Sequence, residues 1–219
     1  MEGQDGFSNT RAVYTTSWAG AMLEADPANG FLSVTASFVV PKPSVPSTAN
    51  SSVAQRVHYA SAWVGIDGGS ACPGALLQAG LILASTRQLT PDESRDLNIT
   101  IVTGNIVKLT ATADSSTSGT ITVQNVSQNQ TVTRSLNSTE ALCQRNAAWM
   151  VENFSIDGTA TPFANFSSIT FTDASATTFD GKTKLSPVNS TLMDISWEGD
   201  IVTNTTVAAN GNVLVQYLG

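Results

Sequence analysis

Apolar residues in this 219-residue chain fall in short alternating or clustered runs, and nowhere at helical spacing. The runs are rich in Val, Ile, Thr and Phe and are broken by Gly, Asn, Asp, Ser and Pro. Such side chains suit a pleated surface, so the pattern predicts strands throughout and no helical layer. The strands expected first are FLSVTASFVV (31–40), HYASAWVGI (58–66), ALLQAGLIL (75–83) and LNITIVTG (97–104). IVKLTATAD (106–114), GTITVQNV (119–126), QTVTRSL (130–136) and AAWMVENF (147–154) follow. FANFSSITFT (163–172), STLMDISW (190–197), DIVTNTTVA (200–208) and NVLVQYL (212–218) complete the series. A spacing of about 8–14 residues suits a large all-β fold, two antiparallel sheets packed as a sandwich or jelly roll. At 41% hydrophobic residues the chain can bury one sizeable core. The one long Pro/Ser loop, PKPSVPSTANSS (41–52), lies inside the pattern rather than between two compositions. Residues 1–219 therefore read as a single domain, with 1–12 loosely ordered.

Charge narrows the partners. Only 12% of residues are charged, the formal net charge is −7, and the pI is near 4.5. Such a surface repels nucleic acid and anionic membranes. No run approaches the roughly 18 apolar residues that span a bilayer. Few charges also limit charge build-up when carboxylates protonate, which suits work in acid. Asn-x-Ser/Thr sequons begin at Asn50, Asn98, Asn125, Asn129, Asn137, Asn153, Asn165, Asn189 and Asn204. Nine sequons beside a single pair of cysteines favour a secreted, glycosylated protein. The N-terminal MEGQDGFSNTRAVYTTSW has no apolar signal region, so the chain reads as a mature or trimmed form.

Several chemistries drop out. His58 is the only histidine, which excludes multi-histidine metal sites and leaves Ser-His-Asp chemistry resting on one residue at the start of a strand. No G-x-S-x-G elbow or phosphate-binding glycine loop is present. In MDISWEGD, Asp194, Ser196, Glu198 and Asp200 would line one face of an unbroken strand, as in a glycosidase carboxylate pair. The same stretch also reads as a hairpin turning at Glu198-Gly199-Asp200, which would break that face.

Two stretches belong together: ASAWVGIDGGSACPGALLQAG (60–80) and CQRNAAWMVENF (143–154). Each carries one of the two cysteines and one polar residue set in an apolar strand, Gln78 and Glu152. If Cys72 and Cys143 are bonded, their Cα atoms lie about 5–6 Å apart and the two strands start from one place. By alternation Glu152 shares its face with Met150 and Phe154, and Gln78 with Leu76 and Gly80. Spacing alone leaves two readings level: a catalytic pair, or a Gln–Glu hydrogen bond satisfying two buried groups.

These residues resemble the glutamic peptidases, or eqolisins, secreted acid endopeptidases with a concanavalin A-like sandwich of two long antiparallel sheets. The matching motifs are SWAGA (17–21), ASAWVGIDG (60–68), the Cys72-to-Gln78 spacing with LLQAG, and CQRNAAWMVENF. Weaker matches run through GTITVQNVSQNQTVT, FANFSSITFTDA and TLMDISWEGD. The resemblance implies a catalytic Gln78 and Glu152, a Cys72–Cys143 disulfide, cleft support from Trp63, Asp67 and Trp18, and a closing hairpin without catalytic role at TLMDISWEGD. It implies no metal or organic cofactor, and a monomer acting on protein or peptide substrates. Ionised Glu152 would act as general base on water, with the Gln78 amide donating to the developing oxyanion.

Two positions depart from the family pattern. Ala148 stands where the family carries a Glu, four residues before Glu152. The family's aromatic and acidic cleft segment is replaced by AGLILASTRQLTPDESRDLNI, shorter and without an aromatic residue between Gln78 and Ile99. The second reading is therefore a weakened or non-catalytic relative that binds peptide or carbohydrate on the concave face. Alternation also turns Asn153 away from Glu152 toward the core, which predicts that its sequon carries no glycan.

Overall fold

A computed structural model of the protein describes residues 12–50, 53, 55–85 and 99–219. The expected loose start lies outside the described residues except for Ala12, as does most of the short segment after Gln78, from 86 to 98. The strands are β1 (Val13–Thr15), β2 (Trp18–Glu24), β3 (Phe31–Val39), β4 (Tyr59–Asp67), β5 (Leu76–Ala84) and β6 (Ile106–Ala113). Next come β7 (Ser118–Asn125), β8 (Gln130–Asn137), β9 (Asn146–Glu152), β10 (Ser155–Ile156), β11 (Thr159–Ala160) and β12 (Ser168–Thr178). The last are β13 (Lys184–Leu185), β14 (Thr191–Trp197), β15 (Asp200–Ile201), β16 (Thr203–Val207) and β17 (Val213–Tyr217). Two 3-10 turns, Pro27–Asn29 and Val126–Gln128, are the only named helical elements among the described residues, and no described helix is long and apolar enough to cross a membrane.

The strands form the expected pair of sheets. One runs β1-β14-β2-β9-β4-β5, with β15 on β14; the other runs β16-β17-β12-β3-β6-β7-β8, with β13 on β12. Pairing is antiparallel except at one edge, where β1 lies parallel to β14. Alternation explains the core between them. Ala62, Val64 and Ile66 of β4 and Trp149 and Val151 of β9 face inward, opposite Phe38, Leu109 and Phe171 of the second sheet, all essentially sealed from water. Each large side chain buried there contributes about 1.5–3 kcal/mol. The Trp149 indole also donates across the gap to the Thr35 carbonyl at 3.0 Å.

Three expected strands differ. Residues 99–104 form none, although Ile99 and Ile101 are buried and Thr100 and Val102 are exposed. Side chains take the backbone groups that a neighbouring strand would need: Gln130 accepts from the Thr100 N–H, Asn125 donates to the Thr100 carbonyl, and Asn105 accepts from the Val102 N–H. Alternation survives there without a ladder. The stretch expected at 163–172 makes only isolated bridges at Phe163 and Asn165, turns at Ser167 (φ 61°), and becomes strand from Ser168. DIVTNTTVA is split at Val202 into β15 and β16.

Candidate active site

β9 is central to its sheet and buried on both sides from Asn146 to Val151, which makes Glu152, half-buried at its end, the one charged side chain on the strand. Register fixes where it points. Glu152 lies between Trp18 of β2 and Ser61 of β4; Met150 pairs with Trp63, which pairs with Gly80 of β5; Ala148 pairs with Gly65, which pairs with Gln78. Directly paired residues, and residues two apart on one strand, share a face. Glu152, Trp63 and Gln78 therefore all project from the outward face, and Trp63 lies in the row between the other two.

Trp63 ties this face together. It is fully buried, its indole Nε1 donates to Glu152 Oε2 at 2.9 Å, and Trp18 meets its ring edge-on at 5.2 Å between centroids. With Ala148 and Met150 it forms a second apolar cluster, separate from the core, against which Trp18, Met22 and Met193 pack. Glycine flanks it for a steric reason. A Cβ at Gly80 would stand 2.6 Å from the Trp63 Cβ, and one at Gly65 2.9 Å from its ring. Gln78, exposed on the edge strand, and half-buried Glu152 are thus polar groups on either side of an apolar floor.

The far end of the same strands is pinned. Cys72 and Cys143 form a disulfide with their Cα atoms 5.9 Å apart, joining the loop after β4 to the residues that lead into β9. Asp67, completely buried at φ 69°, accepts three backbone N–H groups: Arg145 at 2.7 Å and Asn146 at 3.3 Å on Oδ1, and Gln144 at 2.8 Å on Oδ2. Its carboxylate holds the backbone at the start of β9. Asp67, Cys72 and Cys143 also form the one cluster of potential metal ligands among the described residues, but the sulfurs are bonded to each other and the carboxylate is taken. That donor set does not suit a metal.

The remaining candidates lie elsewhere. MDISWEGD makes the hairpin: Trp197 pairs with Asp200 around Glu198 (φ 52°) and Gly199 (φ 94°), so its acidic residues do not share a strand face. Asp194 is buried beneath the Thr203 and Thr205 hydroxyls, which donate to its Oδ1 at 3.1 and 2.9 Å. Burial pushes its carboxyl above the usual carboxylate range, opposed by the bonds from Thr205 and Thr203. His58 is buried with its ring Nδ1 3.0 Å from the Arg56 carbonyl, a structural histidine. Asn153, one residue past the end of β9, is buried beside Thr161. The sequence reading passed over Ser61, directly across from Glu152, and the floor methionines Met22 and Met193; alternation through ASAW and WAGAM would have found Ser61 and Met22.

Comparison with known proteins gives this face a context. Residues 16–217 match the Peptidase A4 family. The chain is 36% identical to aspergillopepsin-2 of Aspergillus niger, over 95% of its own length and 80% of that protein's. It is 34% identical to scytalidopepsin B of Scytalidium lignicola, over 78% of its length and 66% of the relative's. Among solved structures it superposes on a member of the eqolisin family of peptidases in complex with the tripeptide Ala-Ile-His, with a TM-score of 0.77 and 29% identity, covering 94% of this chain and 100% of that one. Scytalido-glutamic peptidase with a transition state analog inhibitor gives a TM-score of 0.78 at 28% identity, with the same coverage. By sequence over nearly its whole length, and by its two packed sheets, one of which carries both Glu152 and Gln78, the chain belongs to the Peptidase A4 family, the glutamic peptidases or eqolisins, hydrolases acting on peptide bonds.

Proposed function

We propose that the chain is a secreted, single-domain, monomeric acid endopeptidase that cleaves protein or peptide substrates with Glu152 and Gln78. The observation that carries this reading is the Glu152 carboxylate held on the outward face by the Trp63 indole, with exposed Gln78 on the same face. Ionised Glu152 takes a proton from a water whose oxygen bonds to the scissile carbonyl carbon. The Gln78 amide donates to the oxyanion that forms, an interaction worth about 3–4 kcal/mol when the donor is positioned in advance. Protonated Glu152 then gives its proton to the departing amine as the C–N bond breaks. Water is consumed, the carboxylate is regenerated, and no metal or organic cofactor enters. The Trp63 hydrogen bond keeps the carboxylate from swinging away, and the apolar floor keeps competing water from it.

The test is digestion of a denatured protein at acidic pH by folded, disulfide-intact material. Cleavage is expected for the unaltered chain and for the chain treated with inhibitors of paired-aspartate proteases. Glu152→Gln and Gln78→Ala should each abolish it. Retained cleavage by Glu152→Gln would remove the general base from the scheme. No cleavage by the intact, unaltered chain would favour the peptide- or carbohydrate-binding alternative.

A further inference from the structure

The eight sequon asparagines among the described residues do not sit in equivalent places. Asn125 is completely buried, and its Nδ2, the atom that would carry a glycan, donates to the Thr100 carbonyl at 2.7 Å and to Asn105 Oδ1 at 2.8 Å. Asn153 is also buried. Three exposed asparagines lie instead at the two rims of one sheet. Asn129 caps the 3-10 turn just before β8, in the left-handed region at φ 52°, and Asn137 is the last residue of β8. Asn204 is the second residue of β16. β8 and β16 are the opposite edge strands of the eight-stranded sheet.

Neither edge strand carries a lysine, a proline or a register shift. A long, uncharged, β-branched edge invites pairing with another chain, and proteins ordinarily blunt it with lysine, proline or a bulge. β8 reads QTVTRSLN and β16 reads TNTTV, without proline and with Arg134 as the only charged side chain on either. The third sequon positions at these sites are Thr131, Thr139 and Thr206, all exposed, whereas Asn125 and Asn153 have serine there.

We propose that Asn129, Asn137 and Asn204 are N-glycosylation sites whose glycans shield both edges of this sheet from edge-to-edge association, with Asn125 and Asn153 left bare. In each, Nδ2 forms a bond to the anomeric carbon of a lipid-linked oligosaccharide diphosphate, the carbon–oxygen bond to the diphosphate breaks, and one Nδ2 proton is lost. The proposal rests on passage through a secretory compartment. Its test therefore directs the full chain through a eukaryotic host's secretory route, whatever the outcome of the peptidase assay.

Peptide-N-glycosidase treatment in heavy-oxygen water, followed by peptide mapping, should mark Asn129, Asn137 and Asn204 and leave Asn125 and Asn153 unmarked. Bare asparagines at 137 and 204, or a glycan on Asn125 or Asn153 of folded protein, overturn the assignment. For the shielding role, folded protein is trimmed with an endoglycosidase that leaves one sugar per site, which avoids both misfolding and new aspartates. Trimmed material, and the Asn129→Gln, Asn137→Gln, Asn204→Gln triple variant, should show a several-fold rise in light scattering on concentration while keeping the circular-dichroism spectrum of the glycosylated chain. Scattering equal to that of the glycosylated chain in both samples overturns the shielding.

Discussion

Replacing Asp67 by asparagine isolates what one buried carboxylate does for β9. Asparagine matches aspartate in size and tolerates the left-handed φ of 69° that Asp67 adopts, so neither packing nor backbone strain changes much. The change falls on hydrogen bonding. The amide oxygen can keep the Arg145 and Asn146 N–H groups, but the amide nitrogen then faces the Gln144 N–H, donor against donor. One hydrogen bond to a charged acceptor is lost, about 1.5–3 kcal/mol, and the half-buried Gln144 N–H left without a partner costs about 1 kcal/mol. The two surviving bonds lose their charge assistance as well. A destabilisation of about 3–4 kcal/mol follows, large against a typical total stability of about 5–15 kcal/mol. Urea unfolding under non-reducing conditions measures it. For a chain of this size, with m near about 3 kcal/mol/M, the midpoint should fall by about 1–1.3 M. A fall of less than about 0.3 M with m unchanged would refute the reasoning, because it would mean the three N–H groups do not depend on the charge.

Further outcomes follow from the same geometry. Trp63→Phe keeps most of the floor but removes the donor to Glu152; a hydrogen bond to a charged acceptor of about 1.5–3 kcal/mol corresponds to roughly a 10- to 150-fold drop in kcat, with KM little changed, in a peptide cleavage assay. A fall in KM affinity alone would show that Trp63 serves only binding. Replacing both Cys72 and Cys143 by alanine releases a cross-link spanning 71 residues. Chain-entropy scaling puts its loss at about 4.4 kcal/mol, read as a lowered Tm in calorimetry, and a loss below about 1 kcal/mol would contradict it. Asp194→Asn tests linkage. The folded-state pKa of Asp194 is raised by burial, so its favourable contribution is present below the unfolded value and is lost as pH rises through the folded value. The amide oxygen can keep accepting from Thr203 and Thr205, so the variant should gain stability relative to the unaltered chain as pH rises above the ordinary aspartate value of about 3.9; a difference independent of pH would refute the shift.

The strands that carry the site were legible because their alternation is strict: Ala62, Val64 and Ile66 inward, Ser61, Trp63 and Gly65 outward. The same parity places Gln78 and Glu152 on one side. Residues 99–102 show the limit. Their inside-out pattern is real, yet the ladder is replaced by Asn105, three residues past Val102, and by Gln130 and Asn125, distant side chains that no local window reveals. Asp67 shows another. The resemblance marked it as cleft support, but the three N–H groups it receives lie on a segment nearly eighty positions away, brought alongside by the disulfide. The three-residue β1, pairing parallel to β14, left no signal in so short a run.

Sandwiched between β2 and β4, with one apolar cluster beneath it and another above, β9 has no solvent-facing stretch of backbone from Asn146 to Val151. Its amides should therefore trade hydrogen for deuterium only when the whole molecule opens, later than those of either sheet edge. Glu152 at its tip is therefore mounted on a strand that neither solvent nor a free sheet edge loosens.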